Sequence, residues 1–310
     1  MTAVARPAQR TAPKSTPSRG RRQRSLSWFA LPALAFFGLF ALIPLIGVVL
    51  LSFTSWDGLS SNIPFTGLTS WRATFNDPGL PHALWVTFLI IAISWAFQTP
   101  MSILLGVFLA GKQRYRGFLS VFYIIPLLLS SAAIAITYEA LLNPQFGLGP
   151  GLHIALLSQN WLGDPHLALA CVIFIVSWQF IPFHSLIYQG AVRQIPRSMY
   201  EAATLDGAGR VRQFFSVTLP QLKYTAITSS TLMIVGSLTF FDLIYVLTAG
   251  GPADATTNLA VHMYKQGFKA NLMGQASAIA LILVVLGIIL AMLLRRLGGR
   301  DATASQMEGA

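Results

Sequence analysis

The sequence predicts an all-α polytopic membrane protein with six transmembrane helices. Three observations carry that expectation. The 310 residues are 54% hydrophobic and only 10% charged, with a mean hydropathy of +0.62, whereas a soluble domain carries about 25% charged residues. Apolar runs recur at lengths of about 20 residues, enough to cross a hydrocarbon core of about 30 Å. The basic residues gather in the connections between alternate runs.

The six runs are 28–51, 84–109, 118–142, 167–188, 226–248 and 276–294. Each is longer and more continuous than the apolar stripe of an amphipathic soluble helix. Strands of an outer-membrane barrel would alternate over about ten residues, and these do not. Backbone in lipid must bond within its own segment, so each run is expected to be a helix. With the N-terminus placed in the cytoplasm, seven of the 21 Lys and Arg fall before the first run. Three more (Lys112, Arg114, Arg116) lie between the second and third runs, and five (Arg193, Arg197, Arg210, Arg212, Lys223) between the fourth and fifth. Arg295, Arg296 and Arg300 follow the sixth, so eighteen of the 21 share one side, leaving Arg72, Lys265 and Lys269 on the other. That bias is the positive-inside pattern and puts both termini in the cytoplasm. The net charge of +11 is therefore a topology signal. No nucleic-acid partner is expected, because a nucleic-acid reader would gather basic and stacking aromatic residues on one surface.

Residues 1–27 are rich in Pro, Ser, Thr and Arg and read as a disordered basic tail. The run after them is too long for a secretory signal and no small-residue cleavage site follows closely, so an uncleaved first helix is expected. Residues 28–296 form the six-helix domain, with a long loop at 189–225, and 297–310 form a cytoplasmic tail. Cys171 is the only cysteine, which excludes an intramolecular disulfide. The five histidines (His82, His153, His166, His184, His262) have no metal-ligand spacing. The four near outer loops, all but His184, read as solvated surface residues. Gly106, Gly111 and Lys112 mimic a phosphate loop. However, Gln113 replaces the Ser or Thr that holds magnesium, and 107–110 finish an apolar span with no strand before them. The chain is thus expected to bind no cofactor and to carry no catalytic residue.

Ionisable residues inside spans are costly and point to function. Glu139 lies near the outer end of the third span and Asp242 deeper in the fifth. A self-sufficient secondary transporter or channel is the alternative class. A coupled carrier of that kind normally shows several relay groups, and a membrane enzyme needs a clustered catalytic set. Neither is legible.

The loop 189–225 is the most informative stretch. Pro196 pre-sets a helix start, and Met199, Ala202, Ala203 and Asp206 fall on one helical face. Gly207 can take the left-handed conformation that ends a helix. A second short helix is expected over about 210–217, bearing Val211, Phe214 and Phe215, with Pro220 ending it.

Glu201-Ala202-Ala203, then Asp206-Gly207-Ala208, then Phe214, Val217, Leu219 and Pro220, resemble the EAA motif. That motif marks the membrane subunits of binding-protein-dependent ABC importers. A second block, Leu247-Thr248-Ala249-Gly250-Gly251-Pro252 with Thr256, Tyr264 and Phe268, is similar to carbohydrate-uptake permeases of the MalF and UgpA branch. Asn143-Pro144, Phe146-Gly147 and Trp161-Leu162 add to it. The resemblance runs from about residue 28 to 296. It implies a type I ABC importer permease fold in a bacterial plasma membrane. It implies a second, MalG-like permease subunit, two cytoplasmic ATPases holding ATP and Mg, and an extracellular solute-binding protein delivering a di- or oligosaccharide. Glu201, Ala202, Ala203, Asp206, Gly207, Ala208, Leu219 and Pro220 would then couple to an ATPase. Glu201 and Asp206 would pair with its basic groups or with Arg210 and Arg212. Aligned by spacing from Glu201, Ser177, Trp178, Gln179 and Phe183 correspond to the substrate path in the fourth span. Ser237, Phe240 and Asp242 correspond to it in the fifth. Only Trp178 and Pro182 keep the residue types of the maltose permease. The sugar is therefore left open, although Asp242 would repel a phosphate.

Overall fold

A computed structural model describes residues 29–111 and 114–298. The expected tail 1–27, Trp28, the loop residues Lys112 and Gln113, and the C-terminal tail from 299 onward lie outside the described residues. Four helices are long and apolar enough to cross a bilayer: Leu31–Leu51, Gly79–Leu109, Pro165–Gln194 and Met273–Arg296. Two bent pairs, Tyr115–Leu128 with Ser131–Leu141 and Lys223–Leu238 with Asp242–Thr248, bring the number to six when each pair is one span. The six spans thus stand where hydropathy places them. The third and fifth, expected to be continuous, are broken and bent by 95° and 47°.

The chain forms two compact units, one ending at Ile46 and one starting at Gly47. In the first, Pro32 sits in the opening turn of Leu31–Phe37, where its missing N–H costs little. A π turn, Gly38–Leu42, follows, and no residue of either segment is buried.

The second and fourth spans form the centre of the second unit. Asp164 opens the fourth: its Oδ1 accepts from the N–H groups of His166 (2.8 Å) and Leu167 (3.0 Å), and Pro165 follows at the first helical position. The helix stops at Gln194 because Pro196 forces the extended conformation on Ile195, whose ψ is 123°. The two spans touch at Gly106, where a Cβ would stand 2.7 Å from Tyr188 Cβ and 2.8 Å from the Ser185 carbonyl oxygen. Glycine here serves close helix approach, which gives the phosphate-loop mimic a packing role. Around this pair a core of Val86, Ile90, Val172, Ile175 and Val176 joins Ile134 of the third span, Ile244 of the fifth and Val261.

Each break is stitched by a side chain from elsewhere. In the third span Ser130 leaves the helix (ψ 144°) and its Oγ caps the next half by accepting from Ala133 N–H at 3.2 Å. Gln179 of the fourth span donates from Nε2 to Ser131 Oγ at 3.1 Å and to the Leu129 carbonyl at 3.5 Å. In the fifth span Asn258 donates from Nδ2 to the Phe240 carbonyl at 2.6 Å, while its Oδ1 accepts from Val261 N–H at 2.9 Å. Asn258 is 1% exposed, so neither bond is replaceable by water. The next residue, Leu259, donates its N–H to Thr87 Oγ1 of the second span at 2.8 Å.

The expectation that all four outer histidines are solvated does not hold for His262. His262 is buried, with Nε2 2.8 Å from Asp77 Oδ2. The same oxygen accepts from Gln266 Nε2 at 2.8 Å, tying the 259–269 segment to the start of the second span. Beside it, Lys265 Nζ lies 2.7 Å from Asp254 Oδ1, and that hydrogen bond holds the Asp254 carboxyl below its ordinary range.

Replacing Asn258 strands two buried backbone groups, each costing about 1–3 kcal/mol. Asn258→Ala is therefore expected to destabilise the protein by about 2–6 kcal/mol. Thermal unfolding of the detergent-solubilised protein measures this, and an unchanged Tm would refute the stitch.

Candidate functional site

Two places concentrate unusual chemistry. The first is the loop between the fourth and fifth spans. A helix, Arg197–Leu205, starts after Pro196 and closes in a Schellman turn. Ala208 N–H donates to Ala203 O at 2.8 Å and Gly207 N–H to Thr204 O at 3.0 Å. Gly207 has φ +76°, a conformation that costs an L-residue with a Cβ about 1–2 kcal/mol. Gln213 locks the next turn back onto this one, donating from Nε2 to Thr204 Oγ1 (3.0 Å) and to the Ala208 carbonyl (2.9 Å). Tyr200 Oη meets Thr218 Oγ1 at 3.0 Å.

The second short helix, Arg210–Gln213, runs into a π turn, Phe214–Thr218, close to the expected 210–217. Pro220 does not end it as expected. It lies in the opening turn of Leu219–Gln221, where its lack of an N–H is harmless. Leu222 then packs with Tyr188 and Ile103, with Phe214 and Leu219 against them. The loop is thus fastened to the second, fourth and fifth spans by one apolar cluster.

What the loop exposes is equally defined. Ala208 is buried and Ala203, like Met199 and Leu219, is half-buried. Glu201, Ala202, Asp206, Gly207 and Pro220 are exposed, so the two alanines expected on one packing face part company. Leu205 is 90% exposed, Val211 73% and Phe215 61%. Among the described residues neither Glu201 nor Asp206 forms an ion pair, so the expected pairing with Arg210 or Arg212 is absent. Two carboxylates and three large apolar side chains of this one loop are thus exposed.

The second place is the middle of the bundle, where both breaks lie. Of the seven residues expected along a substrate path, three are occupied in packing. Ser177 is buried and accepts from Gln98 Nε2 at 3.4 Å. Gln179 is buried at the third-span break. Ser237 is buried and donates to Met233 O of its own helix at 2.7 Å. Trp178 is partly exposed, stands edge-on to Tyr138 at 5.6 Å, and borders a cavity of about 210 Å³ with Tyr123 and Pro126. Phe183 and Phe240 line a second cavity of about 240 Å³, where Phe240 stacks on Phe180 at 5.2 Å. Asp242 is not deep in a continuous span: it is exposed in the first turn after the fifth-span break, where a carboxylate suits the helix dipole.

Comparison with known proteins decides what this arrangement is. The family described as "Binding-protein-dependent transport system inner membrane component" matches residues 102–300. The chain belongs to that family. Among its relatives is the probable ABC transporter permease protein YurN of Bacillus subtilis, 34% identical over 271 residues, covering 86% of this chain and 92% of YurN. Another is the multiple sugar-binding transport system permease protein MsmF of Streptococcus mutans, 31% identical, covering 77% and 83%. The fold matches a crystal structure of a bacterial alginate ABC transporter in complex with alginate pentasaccharide-bound periplasmic protein. There the TM-score is 0.76 at 22% identity, covering 89% of this chain and 94% of that one. The protein is therefore a multi-pass inner-membrane permease component of an ABC importer with the type I fold, and this reading is favoured over a self-sufficient carrier.

The sequence missed Asn258, Gln98 and His184. A lone amide or imidazole in an apolar run carries no spacing signal, and its partners lie far along the chain. His184 Nδ1, for example, meets Ser229 Oγ at 3.0 Å across 45 residues.

Gly207→Val should destabilise the permease by about 1–2 kcal/mol through its positive φ. Gly209→Ala, at φ −68° in open space, should be neutral; equal Tm values for the two variants would contradict the turn. Gln179→Leu should lower Tm as well as transport, because the Leu129 carbonyl and Ser131 hydroxyl lose their partner. A transport loss at full stability would instead mark Gln179 as a pure substrate contact.

Proposed function

We propose that this permease imports a neutral di- or oligosaccharide as one half of a heterodimeric pore. A MalG-like subunit forms the other half, two cytoplasmic ATPases bind ATP and Mg below, and an extracellular solute-binding protein delivers the sugar. The observation that carries the coupling part is the exposed surface around Glu201, Leu205 and Asp206 on a loop whose other side is firmly fastened. The name of one relative, the multiple sugar-binding transport system permease protein MsmF, supports the sugar. The positive-inside pattern supports cytoplasmic termini and a cytoplasmic 189–225 loop.

The mechanism follows from stiffness. An ATPase cleft closing on Glu201–Asp206 pushes a helix that cannot slide alone. Its Schellman turn, the Gln213 lock and the Tyr200–Thr218 bond make 197–221 one piece. The Leu222–Tyr188–Ile103 cluster passes the motion to three spans. Exposed carboxylates offer charge complementarity to basic groups on the ATPase, and Leu205, Val211 and Phe215 offer apolar anchors. The spans then rock between inward and outward openings, and hydrolysis in the partner supplies the energy.

The test is Glu201→Lys in the assembled transporter. Glu201 is exposed and among the described residues forms no ion pair, so the stability read from thermal unfolding should stay within about 0.5 kcal/mol of wild type. ATP-driven sugar uptake and co-purification of the ATPases should fall at least about tenfold, as expected when a docking charge of about 1.4 kcal/mol is reversed. Normal assembly with normal uptake would defeat the docking role.

A further inference from the structure

The cavity of about 240 Å³ among the second, third, fourth and fifth spans has a chemistry that the expected path residues do not describe. Phe180, Phe183 and Phe240 supply its aromatic wall. Two further lining residues are polar and buried: Gln98 of the second span, 2% exposed, and His184 of the fourth, 3% exposed. Each is held from behind. Gln98 Nε2 donates to Ser177 Oγ at 3.4 Å, and among the described residues its Oε1 has no partner. His184 Nδ1 meets Ser229 Oγ at 3.0 Å, and its Nε2 has no partner among the described residues. Whichever tautomer forms, one ring nitrogen is spoken for and the other is left over as a donor or acceptor. Among the described residues no Lys, Arg, Asp or Glu lines the cavity.

Among the described residues the fully enclosed side-chain atoms without a partner are Ser94 Oγ and Tyr188 Oη, not Gln98 Oε1 or His184 Nε2. Gln98 Oε1 and His184 Nε2 therefore keep access to the cavity, where a ligand can complete them. The ligand must present hydroxyls to an amide and an imidazole, and C–H faces to phenyl rings. It must be uncharged, because an anion would find no cation to offset its desolvation. The volume lies below the roughly 300 Å³ of drug-sized pockets, so it suits one ring of a longer chain.

We propose that Gln98 and His184 are the specificity-determining contacts for a single neutral sugar ring in the import path, and that they select against uronate rings. This rests on the sugar-import reading given above. Ser177 and Ser229 act as positioning residues that fix the amide and imidazole for the ring.

The test uses the complete transporter with its binding protein in proteoliposomes, supplied with radiolabelled maltotriose, raffinose, arabinotriose and trigalacturonate. Wild type should take up at least one neutral sugar and no trigalacturonate. Gln98→Leu and His184→Phe should each raise KM for that sugar about three- to tenfold, the size expected for one lost hydrogen bond. His184→Gln, which can keep both bonds, should recover most of the affinity. Co-purification of all subunits controls for assembly. Should a variant fail to assemble, His184→Cys in the same complex provides the second measurement. Cys171 is buried and is the only native cysteine of this chain, so with the partner subunits' cysteines replaced, labelling of this chain by a charged methanethiosulfonate reports position 184. The sugar that wild type transports should slow that labelling. Unchanged KM in Gln98→Leu and His184→Phe, labelling indifferent to sugar, or preferential uptake of trigalacturonate would overturn the proposal. Wild-type uptake of none of the four sugars would instead overturn the sugar-import reading.

Discussion

Hydrocarbon offers no hydrogen bonds, so every backbone amide within the membrane must find its partner in the protein. Four spans satisfy this as unbroken helices. The third and fifth do not, and the bundle is organised around repairing them. Gln179 reaches from the fourth span to the Leu129 carbonyl and Ser131 hydroxyl. Asn258 reaches back to the Phe240 carbonyl and forward to the Val261 amide. Both repairs are buried, and both tie a broken span to a neighbour that packs in the central core. The breaks redirect the chain in mid-bundle, and the aromatic cavities beside Trp178, Phe183 and Phe240 adjoin the redirected segments.

The same logic separates what moves from what holds. The 197–221 loop is internally locked and fastened through Leu222 to Tyr188, while its outer surface carries unpaired carboxylates and uncovered apolar side chains. Hydrogen bonds and one apolar cluster thus link that surface to the spans. At the other end of the bundle, the Asp77–His262–Gln266 cluster anchors the segment that follows the fifth span. The two ends are stiff, and the mid-bundle breaks are the places where backbone direction already changes.

Part of this is legible in the sequence because it is local. Six apolar runs, their basic flanks, Pro196 opening a helix and Gly207 ending it all depend on residues within a turn or two of one another. The substrate path was read by spacing along the chain, and there the outcome is mixed. Phe183 and Phe240 line a cavity, Trp178 borders another, and Ser177, Gln179 and Ser237 are turned into packing. Spacing gives a residue's height in a helix. Which way it faces depends on which neighbours surround that helix.

The sequence by itself determined the membrane class, the number and place of the spans, the two-helix loop and the turn at Gly207, since hydropathy, charge bias and backbone preference act over short stretches. Tertiary structure alone decided that two spans break, because the groups that make a break tolerable come from far away. Gln179 lies 50 residues from Leu129, and Asn258 lies 18 from Phe240. Tertiary structure also decided that His262 is buried on Asp77, 185 residues away, rather than solvated. Hydrogen bonds between distant residues leave no period in a sequence, and in a bilayer such bonds determine where a helix can stop.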